Sequence, residues 1–156
     1  MPDSDLLIRD LVESTREVFS TMIAVNLDEG PNRRGVEVLE GCQVMGMVGL
    51  AGNSHGIVSV HCSHTLAMTI TSNMLGMPIT HMGDEVKDAV GEVTNMVAGS
   101  FKNRLSKGGE LLNLSVPTVI VGDNFTIKTL SNAPSLVLEF PWRGEALYVR
   151  LDLKEA

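Results

Sequence analysis

The chain has 156 residues, which at roughly 100 to 200 residues per domain makes one domain, 1–156, with little left for a second. Its 12 basic residues against 19 acidic ones give a formal net charge of -7 and a pI near 5.0, so the electropositive footprint that nucleic acid or an anionic membrane surface requires is missing. With 44% apolar and 20% charged residues, the composition is that of a folded chain and excludes general disorder.

The opening Met1-Pro2-Asp3-Ser4-Asp5 is acidic where a signal peptide needs a basic start, and no run of 18 apolar residues occurs, so the cytoplasm is the expected location. From Leu6 to Leu27, apolar residues at Leu7, Leu11, Val18, Met22 and Val25 keep helical spacing, with Gly30-Pro31-Asn32 as the stop. Residues 36–50 alternate loosely, and Gly52-Asn53-Ser54-His55-Gly56 separates them from Ile57, Val58 and Val60, which reads as a hairpin. Ser63 is the expected N-cap of a second helix reaching Leu75, where Gly76 and Pro78 follow.

The longest helix is expected from Asp84, whose carboxylate can accept first-turn N–H groups, to about Leu105, ahead of Lys107-Gly108-Gly109. Val86, Val90, Val93, Val97 and Phe101 form its buried stripe. Strands are then expected at Val116 to Val121, Phe125 to Leu130, Leu136 to Trp142 and Ala146 to Leu153, as an antiparallel meander with a tight turn at Arg143-Gly144. The fold class is therefore α/β of the α+β type, mainly antiparallel sheet packed against long helices.

On the third helix, Asp88, Glu92 and Asn95 fall at i, i+4 and i+7, offset from the valine stripe, so they face solvent or a partner. Gly91 and Gly99 border them, each costing about 1 kcal/mol of helix stability relative to alanine. That cost is explained by close approach of a partner to the backbone, or by close packing on a sheet. Glu-x-x-Asn alone is a weak signal, because Glu29 to Asn32 and Glu110 to Asn113 match it too, beside helix-breaking glycines.

The longer run Asp88-Ala-Val-Gly-Glu92-Val-Thr-Asn95-Met-Val-Ala-Gly99 resembles the CheX/CheC family of chemotaxis response-regulator phosphatases, most closely the single-site CheX type. The order of elements resembles that family over most of the chain. The resemblance implies hydrolysis of the aspartyl phosphate on a CheY-like receiver. It implies that Glu92 docks the receiver's active-site lysine and that Asn95 holds a water in line with the phosphorus; Asp88 matches the family's usual acidic or serine position and takes a supporting role in docking or helix placement. Phosphoryl transfer is helped mainly by positioning and electrostatics, so no protein nucleophile is required. Magnesium would belong to the receiver, with no cofactor or metal-ligand cage in this chain. A homodimer is also implied; Leu136, Val137 and Leu138 offer an edge for it, or a strand buried within the monomer.

Leu11-Val12-Glu13-Ser14-Thr15-Arg16 shares a frame with Val90-Gly91-Glu92-Val93-Thr94-Asn95, with Arg16 in place of Asn95. A guanidinium has no acceptor for a water proton, so one active helix per chain is expected. His61-Cys62-x-His64 lacks a fourth zinc ligand, and His61 and Cys62 point to opposite faces of a strand. The glycines from Gly46 to Gly52 lack the Gly-Lys-Ser/Thr ending of a phosphate loop. Without the resemblance, Glu92 and Asn95 read most simply as a solvated helix face. The rival functions are a non-catalytic scaffold like the middle domain of FliM and an adaptor that binds phosphorylated receivers without hydrolysing them.

Overall fold

The computed structural model describes residues 4–34, 39–109, 111–123 and 135–155. Leu7, Leu11, Val12 and Val18 give α1 (Ser4–Val18) its buried face. The helix widens into one π-helical turn, Phe19–Ile23, and stops at Ala24, a non-glycine residue at φ 59°. The helical pattern was expected to run to Leu27. In place of a last helical turn, Leu27 is buried in an irregular segment whose carbonyl accepts from Arg16 Nε at 3.0 Å.

A short strand β1 (Asn32–Arg34) precedes the hairpin of β2 (Val44–Gly52) and β3 (Ser54–Cys62). These two strands are longer than expected, because pairing continues to Ala51 opposite His55 and leaves a turn around Asn53. Ser63 caps α2 (His64–Leu75) as expected, its Oγ accepting from Leu66 N at 3.1 Å, and Gly76 ends it in the left-handed region. The third helix, α3 (Asp84–Lys107), has Gly83 at its N-cap with no side-chain cap. Asp84 lies one residue inside the helix, where its charge complements the helix dipole.

After α3 come β4 (Leu112–Leu114), β5 (Thr118–Val121), β6 (Ser135–Trp142) and β7 (Glu145–Glu155). The strand expected at Phe125 to Leu130 lies outside the described residues. Among the described residues, seven strands form one antiparallel sheet, ordered β1-β6-β7-β3-β2-β4. The strand β5 also pairs with β2, at the opposite end from β4. The expected meander is thus limited to β6 and β7, joined at Arg143 and Gly144, both at positive φ as a type I′ hairpin turn requires. Leu136, Val137 and Leu138 lie on a strand paired on both sides, so the sheet-edge reading of that run is corrected in favour of burial.

The three helices cover one face of the sheet, where Val44, Val48, Val58, Val60, Leu147, Val149 and Leu151 meet Leu11, Phe19, Ile70, Val93 and Phe101. The other face carries a buried polar group. Arg150 Nε donates to Asp152 Oδ2 at 3.0 Å and Arg150 Nη2 to Ser135 Oγ at 2.9 Å, while Ser59 Oγ and His61 Nε2 are 2.8 Å apart. Burial, reinforced by Arg150 and partly opposed by Asp152, holds the His61 imidazole down to about 4. The folded protein keeps His61 neutral, whereas the unfolded chain takes up a proton below its ordinary value of 6.5. Acidification from pH 7.5 to pH 5 is therefore expected to remove about 2 kcal/mol of stability through this residue. Denaturant midpoints across that range check it, and His61→Asn should flatten the slope; an equal slope in the variant would assign the effect elsewhere.

Candidate functional site

Helix α3 carries complementary charge at both ends. Asp84 and Glu85 stand in its first turn and Arg104 and Lys107 in its last, each complementing the dipole. Val86, Val90, Val93, Val97, Phe101 and Leu105 bury one face into the core. Thr94 is fully buried, and its hydroxyl donates to the Val90 carbonyl at 2.8 Å. Thr94 packs directly on β2 at Gly46, where an added Cβ would meet Thr94 Oγ1 at 2.1 Å. The helix therefore packs closely on the sheet at the turn that carries Glu92 and Asn95.

The structure places Asp88 and Glu92 on the exposed side of α3, with Asn95 half-buried along the same stripe. None of the three side chains has a hydrogen-bond or ion-pair partner among the described residues. Asn95 and Gly99 line an open groove of about 1320 Å³ between α3 and α1, whose far wall carries Leu6, Asp10 and Met22. Burial raises the Asp10 carboxyl above its ordinary range, with Arg104 pulling it down and Glu13 pushing it up. Gly91 has a different surrounding. It is buried beside this chain's own Pro117 and Val119, and a Cβ there would touch Val119 Cγ2 at 3.4 Å. Packing within the chain thus occupies the side of α3 where Gly91 was expected to admit a partner. Gly99 is half-buried and remains on the groove; a Cβ there would meet Leu114 Cδ1 at 3.9 Å, an ordinary contact.

The frame shared by α1 and α3 extends to three dimensions. Leu11, Val12, Ser14 and Thr15 are buried and Glu13 is exposed, as Val90, Gly91, Val93 and Thr94 are buried and Glu92 is exposed. Thr15 donates to the Leu11 carbonyl at 2.8 Å, the bond that Thr94 makes to Val90. The polar positions differ in their engagement. Glu13 lies 3.8 Å from Arg104 Nε, and Arg16 is tied to the Leu27 carbonyl. The two groups that match Glu92 and Asn95 thus each have a partner within the chain.

Other chemistry is sparse. His61 bonds Ser59 on one face of β3, while Cys62 is buried in the core on the other. Among the described residues, no group of three or more His, Cys, Asp or Glu could hold a metal ion. Burial pushes the Cys42 thiol up to about 12 and raises Cys62 as well, far from a reactive thiolate. No helix among the described residues is long and apolar enough to cross a membrane.

A family model described as chemotaxis phosphatase CheX matches residues 44–141, from β2 through all of α3 into β6. The chain belongs to the CheX family. A chemotaxis protein CheX of Desulfovibrio desulfuricans is 31% identical and superposes with a TM-score of 0.87, covering 95% of this chain and 99% of that one. The CheY-P phosphatase CheX of Thermotoga maritima is 22% identical over 136 residues, 86% of this chain and 85% of that protein. At 24% identity, a CheX from Borrelia burgdorferi, solved in complex with CheY, BeF3 and Mg2+, shares the fold with a TM-score of 0.80 over 96% of this chain and 98% of its own. FliM of H. pylori, at 10% identity, shares it too, with a TM-score of 0.67 over 99% of this chain and 90% of its own. A likeness at that identity shows the fold alone, and function has to be argued from the site.

Proposed function

We propose that this chain hydrolyses the aspartyl phosphate of a CheY-like response regulator. The observation that carries the reading is the contrast between the two matching helices: Glu92 and Asn95 are unengaged among the described residues on a closely packed α3, whereas Glu13 and Arg16 have partners within the chain on α1. Asn95 holds the attacking water with its amide, which accepts from the water on one side and donates on the other. The water oxygen attacks phosphorus, the bond to the receiver's aspartyl oxygen breaks, and the carboxylate leaves. Glu92 pairs with the receiver's active-site lysine, and Asp88, one turn earlier, supports docking. Gly99 keeps the groove floor low beneath the receiver. Magnesium is the receiver's own. The partnership belongs in the cytoplasm, and a homodimer through a surface other than β6 is part of the same proposal.

Support comes from the family description, from the name of the Thermotoga maritima relative, and from the CheY, BeF3 and Mg2+ found with the Borrelia burgdorferi CheX. The deciding experiment follows loss of phosphate from a CheY-like receiver, loaded by a small phosphodonor, with and without the chain. Acceleration supports the phosphatase. Binding of the phosphorylated receiver with unchanged decay would instead make the chain an adaptor, and neither effect across several receivers would make it a scaffold.

Glu92→Ala is expected to weaken association with the phosphorylated receiver roughly tenfold at low salt, about 1.4 kcal/mol, and less at high salt, where an interfacial charge pair is screened. Titrations at two ionic strengths check this. Unchanged affinity at low salt would return Glu92 to an ordinary surface residue.

A further inference from the structure

We propose that Arg104 is a positioning residue for the Asn95 site, setting the separation of α1 from α3 and with it the width of the groove on which Asn95 opens. The proposal rests on the reading of that site given above. Arg104 stands in the last turn of α3, nine residues beyond Asn95, roughly 13 Å along the helix axis. From there it acts on the site through α1 rather than by contact.

Its guanidinium gathers acceptors from both helices. Nη1 donates to Ser100 Oγ on its own helix at 2.7 Å and to Ser14 Oγ on α1 at 3.4 Å. Nη2 donates to Glu17 Oε2 on α1 at 3.0 Å, and Nε lies 3.8 Å from Glu13 Oε2 on the same helix. Arg104 thus reaches three side chains of α1, Ser14, Glu17 and Glu13, from one position on α3. The apolar side chains that both helices give to the core resist separation but tolerate sliding. A planar fork with donors in fixed directions defines a distance and a register, which a flexible ammonium does not.

The groove gives the clamp a consequence. Arg104 lines it together with Asn95 and Gly99, and the far wall is α1 with the π-helical turn, where Leu6 and Met22 present exposed apolar side chains. A receiver that brings its phosphate to Asn95 meets that wall in the same encounter. Moving α1 changes how well the receiver seats without altering the amide that holds the water. The expected signature is loss of uniform binding, in which KM rises and kcat stays.

The test uses the full chain with Arg104→Gln, Arg104→Lys and the exposed-site variant Glu17→Gln, which removes the charge from one partner while keeping an acceptor oxygen and the buried Ser14 contact. Three quantities are read well below the unfolding temperature: KM and kcat for the phosphorylated receiver, affinity for a beryllofluoride-loaded receiver, and the α1–α3 distance between spin labels at Arg9→Cys and Ser106→Cys, exposed positions outside the groove lining. The native Cys42 and Cys62 are buried and free, so they stay unlabelled. Arg104→Gln is expected to raise KM at least fivefold with kcat within twofold, to weaken beryllofluoride-state binding equally, and to broaden the label distance. Arg104→Lys should recover part of each effect, and Glu17→Gln should show a smaller shift in the same direction.

A lower unfolding midpoint with unchanged KM, affinity and distance overturns the proposal and leaves Arg104 a stability residue. A broadened distance with unchanged affinity overturns it as well. Should the wild type bind the loaded receiver without hastening its decay, the phosphatase reading fails, and the affinity and distance measurements still decide the role of Arg104. Absence of both binding and acceleration in the wild type overturns both.

Discussion

Asn95→Ala is expected to lower the rate of receiver dephosphorylation at least about 100-fold while leaving affinity for the phosphorylated receiver within about threefold. The reasoning starts from the place of Asn95 on α3. Its amide is half-buried at the groove edge with no partner among the described residues, so truncation leaves no orphaned group inside the protein and opens no core cavity. The cost therefore falls on the reaction. A water held in line by one acceptor and one donor loses both with the amide, and misplacing a reacting group by about 1 Å is enough for a 100-fold loss. Binding survives because docking is assigned to Glu92, Asp88 and the walls of the groove. Rate measurements at saturating chain, paired with titration of a beryllofluoride-loaded receiver, separate the two. A matched fall in rate and affinity would make Asn95 a docking residue and remove the water-holding role.

Much of this arrangement is legible in the sequence, because α3 satisfies several rules at once. Its valines recur at helical spacing, its charges follow the dipole, and glycines stand beyond its last turn, so its bounds and exposed stripe follow directly. The exposure of Asp88 and Glu92 follows from their offset to that stripe. Less legible are features that depend on which element comes to lie beside which. Gly91 and Gly99 look alike in sequence, yet Pro117 and Val119 cover the first while a groove lies over the second. The end of α1 carries no glycine signal, because the chain turns left-handed at Ala24. The strand β5 was expected to lie in a C-terminal meander and instead pairs with β2, a choice set by tertiary contacts rather than by local pattern. Arg104 reads in sequence as an ordinary basic residue at a helix end; only the proximity of Ser14, Glu13 and Glu17 makes it a clamp.

Gly46 is the strongest case of a residue whose role lies outside its own segment, and Gly46→Ala is expected to cost about 2 to 3 kcal/mol of stability. In sequence it belongs to a glycine-containing strand. In the fold it is the surface on which α3 sits: an alanine Cβ would stand 2.1 Å from Thr94 Oγ1, 3.1 Å from Thr94 Cβ and 3.2 Å from Val90 Cγ1. Thr94 has no room to yield, because it is fully buried and its hydroxyl is bonded to the Val90 carbonyl in the turn below. Either α3 lifts from β2 or the strand bends, and both displace Asn95, the next residue after Thr94. Hydrolysis is therefore expected to fall with stability, even at temperatures where the variant remains folded. Removing the obstructing hydroxyl supplies the control: Gly46→Ala combined with Thr94→Ala leaves no atom at 2.1 Å and should recover most of the lost stability and rate, a coupling that independent sites do not show. Denaturant unfolding and dephosphorylation rates for the two single variants and the double variant measure that coupling. Simple additivity of the two stability losses would mean that α3 is not seated on Gly46 through Thr94.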